Sequence, residues 1–341
     1  MPRKAKRSGS LPALVKWLSA AAAALFFGTS DWYVHQPHAW QQEHAKRVPA
    51  PLAFAFARVG NEIADTTDAL GLTGHDAIAD CAAPLATNRI FCAGLPKRLP
   101  GCRAPNDIEV LNKRGFAVGY SPSLRHPVWV AYKIHPVRHV PPPQRPTLFK
   151  PDPDAPRSPH QKDYSKSGYD RGHMAPNLAI ATRYGKAAQE QTFLTSNICP
   201  QRPSLNQGPW YDVEFRIAEV WPDCYGDVWV ITGALSTPND SRLASGIDVP
   251  TAFYQIVVAQ KKGKIRAFAV CMPQTIRRHA PARTTLISIR DLEKLTGFDF
   301  LSELPDDAEN ALETETPTRL WPSGLTGYGR LVWEHLKRLR Y

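Results

Sequence analysis

From about residue 105 onward the apolar residues fall into short runs instead of long amphipathic stretches. Residues 116–120, 128–134, 228–232, 252–259 and 265–271 are each short and rich in β-branched or aromatic side chains, and each predicts a strand. Two stretches, 209–220 and 289–296, carry helical spacing instead. Strands and helices do not alternate strictly, so the pattern predicts an α+β fold: a layered antiparallel sheet with flanking helices. The 32 prolines exceed the usual share of about 5%. They concentrate in 136–159, which predicts a long irregular connection and argues against a helical bundle. No repeat, heptad or other low-complexity tract interrupts this plan.

The N-terminus differs from the rest. Arg3, Lys4, Lys6, Arg7 and Lys16 are its only charges through residue 30, and an apolar run spans 17–27. A basic region followed by about eleven apolar residues matches a secretory signal. The run is short for a spanning helix, which needs roughly 20 residues. No clean small-residue cleavage site follows, so two readings stay open: a cleaved signal peptide, or an uncleaved N-terminal membrane anchor. Either predicts an exported body, periplasmic or secreted. The expected organisation is a targeting segment over 1–30, an extension with a cysteine-bearing lead-in over 31–104, the main domain over 105–310 and a basic amphipathic tail over 311–341. The tail reads as a docked helix or a loose end.

Six cysteines, Cys81, Cys92, Cys102, Cys199, Cys224 and Cys271, make an even set, which an oxidising compartment permits as disulfides. Buried free thiols are the plainer alternative. No pair has CxxC spacing, which argues against a structural zinc. The net charge is +11, from 42 basic and 31 acidic residues. Without the five basic residues of the first 30 it is +6. A basic body attracts polyanions, and solubility alone would explain it equally well.

The segment Ser167-Gly-Tyr-Asp-Arg-Gly-His-Met-Ala-Pro-Asn177 sets a histidine beside a glycine and an arginine, where a phosphate can approach closely. Histidine suits a general base, because its unperturbed pKa lies near 6.5. A second segment runs from Phe193-Leu-Thr-Ser-Asn-Ile-Cys-Pro-Gln201 to Asn206-Gln-Gly-Pro-Trp-Tyr-Asp-Val-Glu214. Pro209 fits a first helical turn, so Asn206 caps that helix or just precedes it. Trp210, Val213 and Glu214 follow along one side. An amide oxygen with a nearby carboxylate suits magnesium. Simple capping by Asn206 and a solvated Glu214 are the alternatives.

Together these residues resemble the DNA/RNA non-specific endonucleases. The match comprises Asp170–His173, then Asn197, Pro200, Gln201, Asn206, Trp210, Val213 and Glu214, and extends over roughly 110–305. The resemblance implies a ββα-metal nuclease that acts on DNA and RNA. In that reading His173 takes a proton from water, and Asn206 holds magnesium, or manganese in its place. Arg171 clamps phosphate, Glu214 orients metal-bound waters, and Asn197 positions nearby groups or substrate. Asp170 supports the local turn. Arg216 is the nearest candidate for a further arginine on the metal helix, since Ala218 stands where one is expected. Arg125 is either an outer phosphate contact or a surface arginine, and Cys199 a filler or a disulfide partner. A non-catalytic nucleic-acid-binding protein would be favoured if His173 or Asn206 were missing. A two-metal phosphatase would need more Asp and His ligands than 170–214 supplies. The oligomeric state is not legible.

Overall fold

The computed structural model of the protein describes residues 66–81, 93–137, 141–155, 157–237 and 241–338. The N-terminal segment, with its signal or anchor reading, and Cys92 lie outside them. The chain divides into two units, Met1–Asp68 and Ala69–Tyr341, and the sheet with its helices lies in the second. No helix among the described residues is long and apolar enough to cross a membrane.

The expected strands form, slightly lengthened. Strands β1 (Ala77–Asp80), β2 (Lys97–Arg98), β3 (Glu109–Lys113), β4 (Phe116–Ser121) and β5 (His126–Ile134) come first. A short ribbon follows, β6 (Asp170–His173) with β7 (Ile198–Gln201). Then come β8 (Val228–Leu235), β9 (Ala252–Lys261), β10 (Lys264–Pro273), β11 (Leu286–Ile287) and β12 (Phe298–Asp299). The main sheet has the order β1-β10-β9-β8-β5-β4-β3, with β11 also on β10, and every pairing is antiparallel. It is two meanders, β3-β4-β5 and β8-β9-β10, joined where β5 pairs β8. The chain between those two strands leaves the sheet and carries the β6–β7 ribbon.

Five helices matter for that excursion and its surroundings: α1 (Asn177–Thr192), α2 (Pro203–Asn206), α3 (Pro209–Glu219), α4 (Trp221–Tyr225) and, beyond the sheet, α5 (Ile289–Thr296). Two more, α6 (Asp306–Thr314) and α7 (Gly324–Arg338), end the fold. Strand side chains alternate between faces, and here both faces are covered. Phe116, Val118, Val130, Tyr132, Val230, Val257 and Phe268 point into one core, shared with Trp210, Ile217 and Trp221 of the excursion. Ala117, Trp129, Ala131, Ile231, Ile256 and Ala267 point into the other, shared with Leu292 and Leu312. The result is a three-layer α+β sandwich whose central strands read as nearly continuous apolar runs.

The tail docks as a helix. Trp321, fully buried, packs edge-on against Trp221, Tyr225 and Phe268 at centroid distances of 5.6, 5.1 and 5.3 Å. Beyond it Arg330 of α7 pairs with Asp223 at 2.7 Å. The cysteines correct the expected disulfide framework. Cys102, Cys199, Cys224 and Cys271 are free thiols in this fold, with no bridge among them. Cys199 is wholly buried against the sheet, and burial holds its thiol pKa well above the usual value. It fills the core.

Candidate active site

The ribbon forms because Gly172 lies opposite Cys199 and His173 opposite Ile198. A Cβ on Gly172 would lie 2.0 Å from Gln201 Oε1, so only glycine lets the buried Gln201 side chain cover this position. His173 ends the strand, and its imidazole is held by aromatic rings. Phe193 meets it at 4.9 Å and Phe149 at 5.4 Å, while the two phenyl rings are themselves 4.9 Å apart. Phe149 comes from the proline-rich connection. It is fixed there because the Lys150 amide donates to the Phe193 carbonyl (3.0 Å) and the Thr195 amide to the Lys150 carbonyl (2.9 Å). The same connection is anchored at Asp152, which pairs with the buried Lys113 at 2.8 Å and accepts from the Ser196 hydroxyl.

Inside this frame His173 Nε2 is sealed from solvent without a hydrogen-bond partner. Burial, and then the Arg145 guanidinium, push the imidazole pKa down to about 3. The ring is therefore neutral at physiological pH, as a proton acceptor must be. Arg145 rests over Phe193 at 5.4 Å, and Arg171 over Phe149 at 5.2 Å. Each of the two phenyl rings that hold the histidine thus also carries a guanidinium group. Arg171 Nε is buried without a hydrogen-bond partner. Sequence reasoning missed Arg145, since nothing local marks one arginine in a proline-rich connection as facing a histidine 28 positions later.

Asn206 is the last residue of α2, whose turn closes through its own amide donating to the Arg202 carbonyl at 2.9 Å. It precedes the metal-helix candidate α3 instead of capping it; the cap is Gly208. Asn206 Nδ2 donates to Asp170 Oδ2 at 2.9 Å, and Gln207 Nε2 donates to the same oxygen at 2.9 Å. With its NH2 engaged by a carboxylate, Asn206 keeps Oδ1 as its acceptor. Asp170, three residues before His173, thereby ties the histidine's strand to the asparagine's helix. Glu214 sits in the second turn of α3, where its Oε1 accepts from Trp210 Nε1 at 3.1 Å. Burial raises the Glu214 pKa to about 8, against the lowering effects of the Trp210 bond and of Arg145. The Arg145 guanidinium lowers the pKa of both His173 and Glu214. An amide oxygen and a carboxylate are donors that fit a hard cation such as magnesium, and a nearby cation would return Glu214 to its ionised form.

Asn197 is wholly buried and spends its amide within the fold. Its Oδ1 accepts from the Ala175 amide (2.8 Å), and its Nδ2 donates to the carbonyls of Ala175 and Thr192 (3.0 Å each). Of its two expected roles this fits the positioning of the chain just past His173, with no donor left for substrate. Arg125 is likewise committed. It pairs with Asp163 at 3.1 Å and donates to the Ser245 carbonyl, bonds that spend its guanidinium within the fold. Arg216 donates to Ser323 Oγ at 3.4 Å, toward the C-terminal segment. The guanidinium that does reach Ala218 belongs to Arg183 of α1, which donates to the Ala218 carbonyl.

The model of the family described as DNA/RNA non-specific endonuclease matches residues 98–307. The mitochondrial nuclease EXOG of Xenopus laevis is 30% identical over 264 residues, which cover 68% of this chain and 72% of that protein. Human mitochondrial endonuclease G is 27% identical over 217 residues, 59% of this chain and 72% of that protein. Among solved structures, one of an EndoG/EndoGI complex is similar with a TM-score of 0.53 and 25% identity, over 58% of this chain and 88% of that one. These relatives correct the exported, periplasmic or secreted location expected from the N-terminal segment, because both curated proteins are mitochondrial nucleases. A basic, acid-free leader is common to secretory and mitochondrial targeting segments, so its charge pattern does not select export.

Proposed function

The chain belongs to the DNA/RNA non-specific endonuclease family, and from that premise we propose that it hydrolyses the phosphodiester bonds of DNA and RNA in a magnesium-dependent, sugar-non-specific reaction. The observation that carries this reading is the pair of bonds at Asp170, which joins the strand of His173 to the amide of Asn206. Asn206 Oδ1 would hold the magnesium, with Glu214 reaching it through water, and manganese is the natural substitute. When bound, the cation would offset the negative charge on the oxygens of the attacked phosphate and on the leaving 3′ oxygen.

The chain's own residues supply the rest. His173 takes the proton of the attacking water. Because Nε2 is sealed, the nitrogen available to meet that water is Nδ1, which requires the neutral tautomer with its proton on Nε2. Phe149 and Phe193 fix the plane of the ring, and a fixed base makes proton transfer a positioned step instead of a diffusional one. Arg171 and Arg145 present forks that match phosphate oxygens. Contacts of this kind address phosphate and not base edges, which supports low sequence specificity.

Digestion of plasmid DNA and of RNA by the purified chain, with magnesium or with EDTA and beside His173→Ala, tests the reading. Magnesium-dependent loss of both substrates, abolished in the variant, is the expected result. A folded, magnesium-loaded protein that cleaves neither would refute it and favour a binding protein that keeps the fold.

A further inference from the structure

The segment from Met272 to Ser288 contains no acidic residue and carries Arg277, Arg278, His279 and Arg283. It leaves β10 and turns back over the excursion that holds the active site. Its root is pinned by the buried Gln274, which donates to the carbonyls of Pro200 (2.9 Å) and Pro250 (3.1 Å) and accepts from the Arg202 amide (2.8 Å). Ile276 and Ala282 point into the core, and the Ala280 amide closes the turn on the Arg277 carbonyl at 3.0 Å. Arg277, Arg278 and His279 are what remains on the outside, and all three are exposed. The turn is thus a fixed basic surface.

Its position is set by Gly208. A Cβ there would lie 2.5 Å from the Arg278 carbonyl oxygen and 3.0 Å from Arg278 Cα, so the backbone of Arg278 rests directly on that glycine. Gly208 is two residues from Asn206, a Cα separation of about 7 Å at most. Arg202, also exposed, is one turn before Asn206 on the same side of α2. The basic turn therefore rests within two residues of the Asn206 amide, and Arg202 stands one turn before it.

We propose that Arg277 and Arg278, with Arg202 beside them, form a second phosphate-binding surface that holds the nucleic-acid backbone next to the scissile phosphate. This inference rests on the nuclease reading and extends it. A polymer strand presents a phosphate every ~3.4 Å along a duplex axis, so a strand whose scissile phosphate sits at Asn206 runs its neighbours past this turn. The surface contacts no base, and it adds salt-sensitive affinity for DNA and RNA alike.

The test compares the full chain with Arg277→Gln/Arg278→Gln and with a charge-matched control, Lys262→Gln/Lys264→Gln, at the far end of the β9–β10 hairpin. Binding of a labelled 30-mer duplex is followed in EDTA across a salt series, and cleavage of the same duplex is followed in magnesium. Each lost phosphate contact lowers the slope of log affinity against log salt by about 0.9. The double variant is expected to lose about two units of slope and roughly tenfold in affinity near 0.15 M salt, with the cleavage defect in KM and not in kcat. Slope, affinity and KM equal to those of the lysine control would overturn the proposal. A wild-type chain that binds but never cleaves fails the nuclease reading instead, and the binding comparison still decides the surface.

Discussion

Replacing Asp170 with asparagine removes one charge and leaves the shape of the side chain. In the structure one oxygen of Asp170 accepts from both Asn206 Nδ2 and Gln207 Nε2, each at 2.9 Å. Hydrogen bonds to a charged group contribute about 1.5–3 kcal/mol each, and a neutral one about 1. Asparagine keeps an acceptor oxygen, and Asp170 and Asn206 are only half-buried, so the loss in holding the Asn206 amide is about 1–2 kcal/mol, a factor of 5–30. That range overlaps the 10- to 100-fold effect of removing a residue that orients a metal ligand. The expected result is a magnesium midpoint for plasmid cleavage raised by about tenfold in Asp170→Asn, with most of the rate restored at saturating magnesium. Salt near 0.15 M limits the Debye length to about 8 Å and so suppresses the long-range part of the lost charge. Gln207→Ala, which leaves the Asp170–Asn206 bond in place, should move the midpoint far less. An unchanged midpoint in Asp170→Asn would refute the reasoning. A rate that magnesium cannot restore would put Asp170 in the chemistry itself.

Arg145→Ala should lower kcat/KM on DNA by about tenfold and flatten its salt dependence by roughly one phosphate contact; steady-state kinetics across a salt series reads both, and an unchanged slope would mean that Arg145 does not meet phosphate. Trp321→Ala removes a fully buried indole from a cluster of three other rings, and urea denaturation should show a loss of about 3–5 kcal/mol. A loss under about 1 kcal/mol would mean that the C-terminal segment is not part of the core. Burial and the neighbouring Glu293 carboxyl raise the Glu313 pKa to about 8, far from the active site. An acid raised from 4.5 binds its proton more tightly when folded, so its stabilising contribution is full below about pH 4.5 and is lost as pH climbs through 8. Stability measured from about pH 5 to 9 should therefore fall more in the wild type than in Glu313→Gln, and parallel profiles would exclude this carboxyl as the cause.

Local pattern was enough for much of this protein. The strands at 116–120, 128–134, 228–232, 252–259 and 265–271 and the helices at 209–220 and 289–296 were legible because periods of 2 and 3.6 are properties of neighbouring residues. Asp170, His173, Asn206 and Glu214 were legible as a set only because their order resembles that of the DNA/RNA non-specific endonucleases. The tertiary structure decided what those residues touch. Asp170 meets Asn206 across 36 positions, Phe149 and Phe193 close on His173 from two separate connections, and Arg145 arrives from a stretch that reads only as proline-rich. Four cysteines that an even count would let pair are unpaired thiols. The basic turn at 277–279 gains its meaning only by resting on Gly208. Contacts between distant segments depend on how whole layers pack, and side-chain chemistry at one position carries no record of which distant segment will cover it.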